Sequence, residues 1–511
     1  MEENRCQPIK PFFVWLLCLF ISSILLMICS KSSPLYPFND WVDANAFFTM
    51  GKGMINGKIP YRDLFEQKGP LLYLIHGFSY IISPKTFHGV FIFEVWSFSW
   101  FLFFCHKIIA LFAAEKYSLI SLPIMATLIL NSKSFAHGDS AEEFCLPLLT
   151  ISLYYIIQYF LRGFQVTNNI NWIFINGIIA GCVFWIKFTL TGFWIGWFIS
   201  LLFSIVIKGE PKHAIKSAGY FLAGFVISTI PWLIYFGVNK SILYWINTYI
   251  IINITAYPIS TTLLDRLLFI LVQISSHFYA NPIFGCMLWF GFFFFIFHSN
   301  SIPSRVNRIF LCICGLLLVL GIYGGGRGYV HYFLIISPFI VFGVIFLLIN
   351  IDNAFPKLVT TKYIYLSLSL TILASSLYSL LFNNNIFMLR LNKNDLVQYK
   401  YASIINQSKD ATLLNYGSLD MGFYTVTGIT PNIRFFENQN ISYAKFPIIL
   451  DEQNRYIREK AVDFVVFRYP TSTKFENLSI PYLLENYKLL QSEKQMYETI
   501  EFFYLLFEKI P

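Results

Sequence analysis

VDANAFFTMGKGMINGKIPYRDLFEQKGPLLY, Val42 to Tyr73, sets acids, bases, glycines and prolines side by side between segments that carry almost no charge. Just upstream runs PFFVWLLCLFISSILLMIC, Pro11 to Cys29. As a helix rising ~1.5 Å per residue, a run of that length crosses a hydrocarbon layer of ~30 Å. Further apolar runs recur as far as Phe382 and then stop. A polar loop held between bilayer-length helices makes this a helical membrane protein whose chemistry is confined to its loops.

Composition agrees. Of 511 residues, 56% are hydrophobic and 13% charged, against about 25% charged in a soluble chain. Hydropathy predicts helices over 11–29, 86–106, 118–131, 143–161, 170–186, 189–207, 219–237, 283–298, 308–322, 330–349 and 363–382, about eleven crossings. Two apolar stretches fit poorly: 71–83 is short for a span, and 264–280 is interrupted by Asp265, Arg266 and His277. Both read as interfacial or re-entrant. Arg5 and Lys10, Lys107 and Lys116, Arg162, Lys208, Lys212 and Lys216, Arg305 and Arg308, and Lys357 and Lys362 then share one side, as the positive-inside rule requires. That places the protein in the cell membrane with a cytoplasmic amino terminus and a retained first span. The formal charge of +9 belongs to the membrane part, and none of the nine cysteines lies in the first loop or the tail, so no disulfide framework is expected.

The chain is expected to divide into a transmembrane domain, 1–382, and a small extracytoplasmic α/β domain, 383–511. In the tail, β-rich runs at Thr412–Tyr416 and Asp463–Phe467 alternate with helical patterns such as Pro481–Leu490. It carries no phosphate loop, metal-spaced cysteine set or nucleophile elbow.

The outside loops hold the candidate site. In the first, Lys52, Lys58, Arg62 and Lys68 stand on the face where cations are usually sparse, which invites an anionic ligand. Asp43 opens a stretch whose Ala46, Phe47 and Met50 share a helical face, predicting a helix lying along the bilayer with its first turn free. As a bland alternative, Asp43 is a helix cap. In HGDSAEEF, Asp139, Glu142 and Glu143 fall on one face, and Ser140 with Glu143 fits a capping box. In GGGRGYVHY, glycines let the backbone approach a ligand while Arg327 and His331 face the same side; arginine binds phosphate as a planar fork.

The segments PYRDLFEQKGPLLY, SAEEFCLPLLTISLY and GRGYVHYFLIISP, in that order, resemble the GT-C superfamily of lipid-phosphosugar glycosyltransferases, and within it the bacterial protein-mannosyltransferase-like branch. The resemblance covers residues 11 to 382. It implies an enzyme that transfers a hexosyl or pentosyl group from a polyprenyl-phosphate donor to an extracytoplasmic glycan, lipid or protein acceptor, amid membrane lipids and without nucleic acid, as in cell-envelope polysaccharide synthesis. Asp43 matches the family's catalytic base, with Asp40 in reserve. Lys68 matches its phosphate-contacting lysine; Arg62, with Asp63 beside it, and Arg327 are expected from their charge and sidedness to hold the phosphate as well. Glu142 and Glu143, with Asp139, match the acids of the next loop, used for acceptor, metal or structural roles. Glu66 corresponds to the acid near which some relatives bind a divalent metal, although Gln67 separates it from the lysine where the aminoarabinose transferases have the two adjacent. No tightly bound organic cofactor is implied.

A polyprenyl-phosphate sugar already has a good leaving group. The protein's tasks are to deprotonate an acceptor hydroxyl and to receive the departing phosphate. A single base with no second carboxylate nucleophile predicts inversion. A transporter or flippase for a lipid-linked sugar is the alternative, although internal repeats are not evident and mid-span charges of the kind transporters use are few.

Overall fold

The computed structural model describes residues 10–162, 166–258, 262–297, 302–354, 363–475, 478 and 480–511. Arg5, Lys357 and Lys362 lie outside them. The described helices begin α1 (Pro11–Cys29), α2 (Val42–Ile55), α3 (Pro70–Ile82), α4 (His88–Ile109), α5 (Glu115–Leu130), α6 (Ala141–Arg162), α7 (Val166–Lys187), α8 (Gly192–Ile207) and α9 (Pro211–Val238). Later helices cover Leu263–Ala280, Pro282–Phe297, Arg305–Tyr323, Ile340–Ala354 and Ile364–Phe382, with a 3-10 helix at Val330–Phe339. Each of the eleven apolar runs is therefore helical.

By length and composition, eight helical segments among the described residues are able to cross a membrane, or nine with one bent pair. This is a multi-pass membrane protein. The count falls below eleven for physical reasons: α5 has only 16 residues, and α7 and α8 form one 38-residue apolar stretch interrupted by a 3-10 turn at Phe188–Thr191. The segment 264–280 is helical but meets Pro282–Phe297 at 119°, with Pro282 opening the second helix where a missing N–H costs nothing. α3, with 13 residues, is too short to span.

Compactness divides the chain into two units. The first comprises Met1–Ser30, Ile92–Pro231 and Ile259–Ile386. Its helices pack through small residues, as membrane helices do: a Cβ on Gly291 would lie 2.0 Å from the Gly343 nitrogen, so those two backbones touch. Outward faces are apolar. Leu370, Leu373 and Leu377 are all exposed, a surface that lipid solvates and water does not.

The second unit comprises Lys31–Phe91, Trp232–Pro258 and Phe387–Pro511. A four-stranded sheet, β1 (Leu413–Tyr416), β2 (Phe464–Pro470), β3 (Tyr487–Tyr497) and β4 (Ile500–Lys509), runs in the order β1-β2-β4-β3. β1 pairs parallel with β2, and β4 lies antiparallel to both β2 and β3. The two β-rich runs in the sequence become β1 and β2. The helical pattern expected over Pro481–Leu490 does not persist: a single turn at Leu483–Asn486 gives way to β3, whose residues from Gln491 alternate between half-buried and exposed, the period of a strand.

In the same unit α2 packs on α3. A Cβ on Gly51 would stand 2.4 Å from the Gly77 nitrogen, so the helices meet backbone to backbone. From Ala44 to Gly53 every residue of α2 is buried. The apolar face expected to rest on lipid is covered by protein, and the polar residues of α2 have protein partners, which removes the cost of burying them.

Candidate functional site

Asp43 is the second residue of α2, in its first turn, and is partly exposed. Phe47 follows one turn later on the same face. Over its ring lies the Lys68 ammonium, 5.4 Å from the centroid, a distance at which a cation is attracted to the ring's negative face. Helical spacing and the GP turn before α3 thus bring Asp43 and Lys68 to one side of α2.

Lys68 is held at its backbone, and its side chain is partly exposed. Its carbonyl accepts from Tyr61 Oη at 2.6 Å and Tyr73 Oη at 2.8 Å, and its N–H donates to Glu66 Oε2 at 2.7 Å. Tyr73 Oη donates to the same Glu66 oxygen. The ammonium stands 3.8 Å from Glu66 Oε1 and keeps 18% of its side-chain surface open. The result is a cation with a fixed root, an aromatic floor and open access.

Asp40, Arg62, Asp63 and Lys52 of the first loop have protein partners. Asp40, the reserve base, pairs with Lys31 at 2.6 Å. Arg62 grips Asp63 through Nε at 2.8 Å and Nη2 at 2.9 Å and gives Nη1 to the Asn239 carbonyl at 2.9 Å. Burial pushes Asp63 up, but Arg62 and the Ile59 N–H outweigh it and hold the carboxyl below its ordinary value. Lys52, counted in the sequence among the loop's cations, is fully buried and donates to the Tyr424 carbonyl at 2.6 Å.

Two acids that sequence reasoning passes over belong to this neighbourhood. Glu437 is fully buried; its Oε2 accepts the Asp420 N–H at 2.7 Å and its Oε1 accepts from Gln439 at 2.5 Å. Burial, then the charges of Asp420, Glu66 and Asp43, push Glu437 well above the usual carboxyl range. Asp420, also fully buried, is raised by burial against the pull of its hydrogen bonds and of Lys52.

The first unit gathers Asp139, Glu142, Glu143 and His331. Glu142 is bonded to Lys187, whose ammonium lies 3.6 Å from the Tyr332 ring centroid, and His331 is within electrostatic reach of Glu142. The Asp139 N–H, in a left-handed conformation at φ +60°, is shared by Glu94 Oε1 and Glu143 Oε2, both at 2.8 Å. Ser140 Oγ caps the Glu143 N–H at 3.1 Å, half of the expected capping box, while the Glu143 carboxylate turns to Asp139. Glu94 and Lys187 are the residues missed here, and each has the same signal: a lone charge in an apolar run. Arg327 follows Gly326, at φ +72°, and is half-buried.

Glu66 is the acid at which the resemblance implies a divalent metal. Both of its oxygens face protein donors, one of them an ammonium, and among the described residues no three histidines, cysteines or acids group as a metal site would need.

The apolar helical part and the small mixed sheet define a polytopic membrane protein with the GT-C fold. The chain is similar to the crystal structure of ArnT from Cupriavidus metallidurans bound to undecaprenyl phosphate, at TM-score 0.57 and 11% identity, over 95% of this chain and 97% of that one. A weaker likeness is to the apo oligosaccharyltransferase of Archaeoglobus fulgidus, at TM-score 0.49 and 12% identity, over 91% of this chain and 70% of that one. No family model and no curated protein matches the sequence.

Proposed function

We propose that this protein is a membrane glycosyltransferase that moves a sugar from a polyprenyl-phosphate donor to an extracytoplasmic glycan, lipid or protein acceptor of the cell envelope. The observation that carries the proposal is the face of α2, where Asp43 stands one turn from the ring that seats the accessible Lys68 ammonium. The likeness in fold to an enzyme solved with undecaprenyl phosphate supplies the class of donor.

Asp43 takes the proton of the acceptor hydroxyl as its oxygen bonds to the anomeric carbon, a contribution of roughly 10²- to 10⁴-fold for a positioned base. The bond from that carbon to the phosphate oxygen breaks, and its electrons leave on the phosphate. Lys68 neutralises the charge gathering there. With one displacement the anomeric centre inverts. Arg62 contributes to the field but is already occupied by Asp63. Roles for Arg327, Asp139, Glu142, Glu143 and His331 belong to the same proposal and are tested by substituting each alone. The amino terminus is cytoplasmic on this reading, and 383–511 is an extracytoplasmic domain.

The test is incubation of the purified protein with undecaprenyl phosphate bearing a radiolabelled hexose or pentose. Release or transfer of the label is expected. Label that stays on the lipid, and merely changes leaflet in sealed vesicles, overturns the proposal in favour of a flippase.

A further inference from the structure

On α2, Asn45, Thr49 and Lys52 are spaced four and three apart and so form one stripe. The three are fully buried, and all are met by one short stretch of the tail. Thr425 Oγ1 donates to Asn45 Oδ1 at 2.8 Å, Thr49 Oγ1 donates to Asp420 Oδ2 at 2.6 Å, and Lys52 Nζ donates to the Tyr424 carbonyl at 2.6 Å. Between these partners Gly422 sits at φ +91°, where a Cβ would come within 2.2 Å of the Phe38 ring and 3.1 Å of Asn45 Oδ1. Only glycine allows the tail so near.

Asn45 relays the contact to the start of the helix. Its Nδ2 donates to the Asn39 and Trp41 carbonyls, both at 2.9 Å, and Trp41 is the residue from which α2 begins. The turn that carries Asp43 thus hangs on Asn45, and Asn45 is oriented by Thr425. No side chain caps this helix directly. A second strap runs alongside, with the Phe65 N–H donating to the Arg434 carbonyl at 2.9 Å and Arg434 Nε donating to the Tyr61 carbonyl at 3.0 Å. Tyr61 in turn holds the Lys68 carbonyl.

We propose that the tail segment Asp420–Thr425 is part of the catalytic apparatus, with Thr425 and Asp420 acting as positioning residues that set Asp43, through Asn45 and Thr49, at the geometry transfer requires. The proposal rests on the glycosyltransferase reading, and it gives the C-terminal part of the chain a role in the reaction.

The experiment compares Thr425→Val, which keeps the shape but removes the donor, with Thr425→Ser, which restores it. Displacing a reacting group by ~1 Å costs up to ~10²-fold, so Thr425→Val should lower kcat by about tenfold or more, leave the Kd for undecaprenyl phosphate within about twofold, and speed amide exchange from Asn45 to Phe48. Thr425→Ser should return all three toward the wild type. Unchanged kcat and exchange, or a parallel collapse of kcat and lipid binding that serine does not rescue, overturns the proposal. If Thr425→Val does not fold, Asp420→Asn read against Thr49→Val serves instead: losses in kcat that add independently overturn the coupling, and losses no larger together than singly support it. Should the wild type turn over no donor, the glycosyltransferase reading fails, while amide exchange in α2 still decides whether this segment holds the helix.

Discussion

Lys187 in the first unit and Lys68 in the second each lie over an aromatic ring and beside a glutamate, at 3.6 Å from the Tyr332 centroid and 5.4 Å from that of Phe47. Residue types alone make the two arrangements alike. Contact and exposure separate them: Lys187 is bonded to Glu142 with 9% and 1% of the side chains open, whereas Lys68 stands 3.8 Å from Glu66 and is 18% open. A closed buried pair has its charges satisfied and serves to fix helices. A longer, partly exposed pair loses less when one partner turns to a ligand, because its charges are less completely desolvated.

Asp43 is the proposed base, and its replacement should have the largest effect. Asp43→Asn is expected to slow transfer at least 100-fold, within the range for a lost general base, while undecaprenyl phosphate binds as before; near-normal turnover would remove the proposed base. The comparison itself is broken or kept by Lys187→Met. Leaving Glu142 buried without its cation should cost about 3–5 kcal/mol, read as a large drop in melting temperature in detergent, and adding Glu142→Gln should recover most of it. Lys68→Met should do the reverse, weakening undecaprenyl phosphate binding about tenfold, as expected for a charged hydrogen bond, with the melting temperature near that of the wild type. If the two variants trade phenotypes, the roles are exchanged.

Smaller effects sharpen the picture. Because Glu437 is raised when folded, its contribution to stability is full below its unfolded carboxyl value and is lost as pH rises through the folded one. Glu437→Gln should therefore flatten the decline of melting temperature on the alkaline side. Lys52 has the opposite sign: burial lowers it against the pull of Asp420, so its contribution is lost as pH falls. Arg62→Ala, at a partly exposed pair, should change stability by less than about 1 kcal/mol and leave lipid binding within about twofold.

Much of this was legible in the sequence. Apolar length marks Pro11–Cys29 or Ile364–Phe382 as helical without further context, because an unsatisfied backbone in lipid leaves few alternatives. The PYRDLFEQKGP run pointed to Lys68 and Glu66, which lie within a few residues of each other and fold locally. What failed was whatever depends on distant partners. Lys52 read as one more exposed loop cation because nothing near it in the chain announces Tyr424, and Glu94 was hidden in an apolar run that its own helix does not explain. Asp420 and Glu437 look like ordinary tail acids until the fold buries them. Tyr487–Leu490 misled through helical residue types, and the pairing of this stretch with β4 overrode them.

The bond from Thr49 to Asp420 spans 371 residues of chain. At ~5–20 residues per second, a ribosome needs about 20 to 70 s to deliver the second partner after the first. Throughout that interval the polar stripe of α2 is already made and lacks the partners that the tail supplies, so water, headgroups or an insertion factor must shelter it. Biogenesis therefore sets a checkpoint at the far end of translation: truncation before Asp420 yields a chain with its spans in place and its first helix still unseated, open to proteolysis at the loop from which α2 starts.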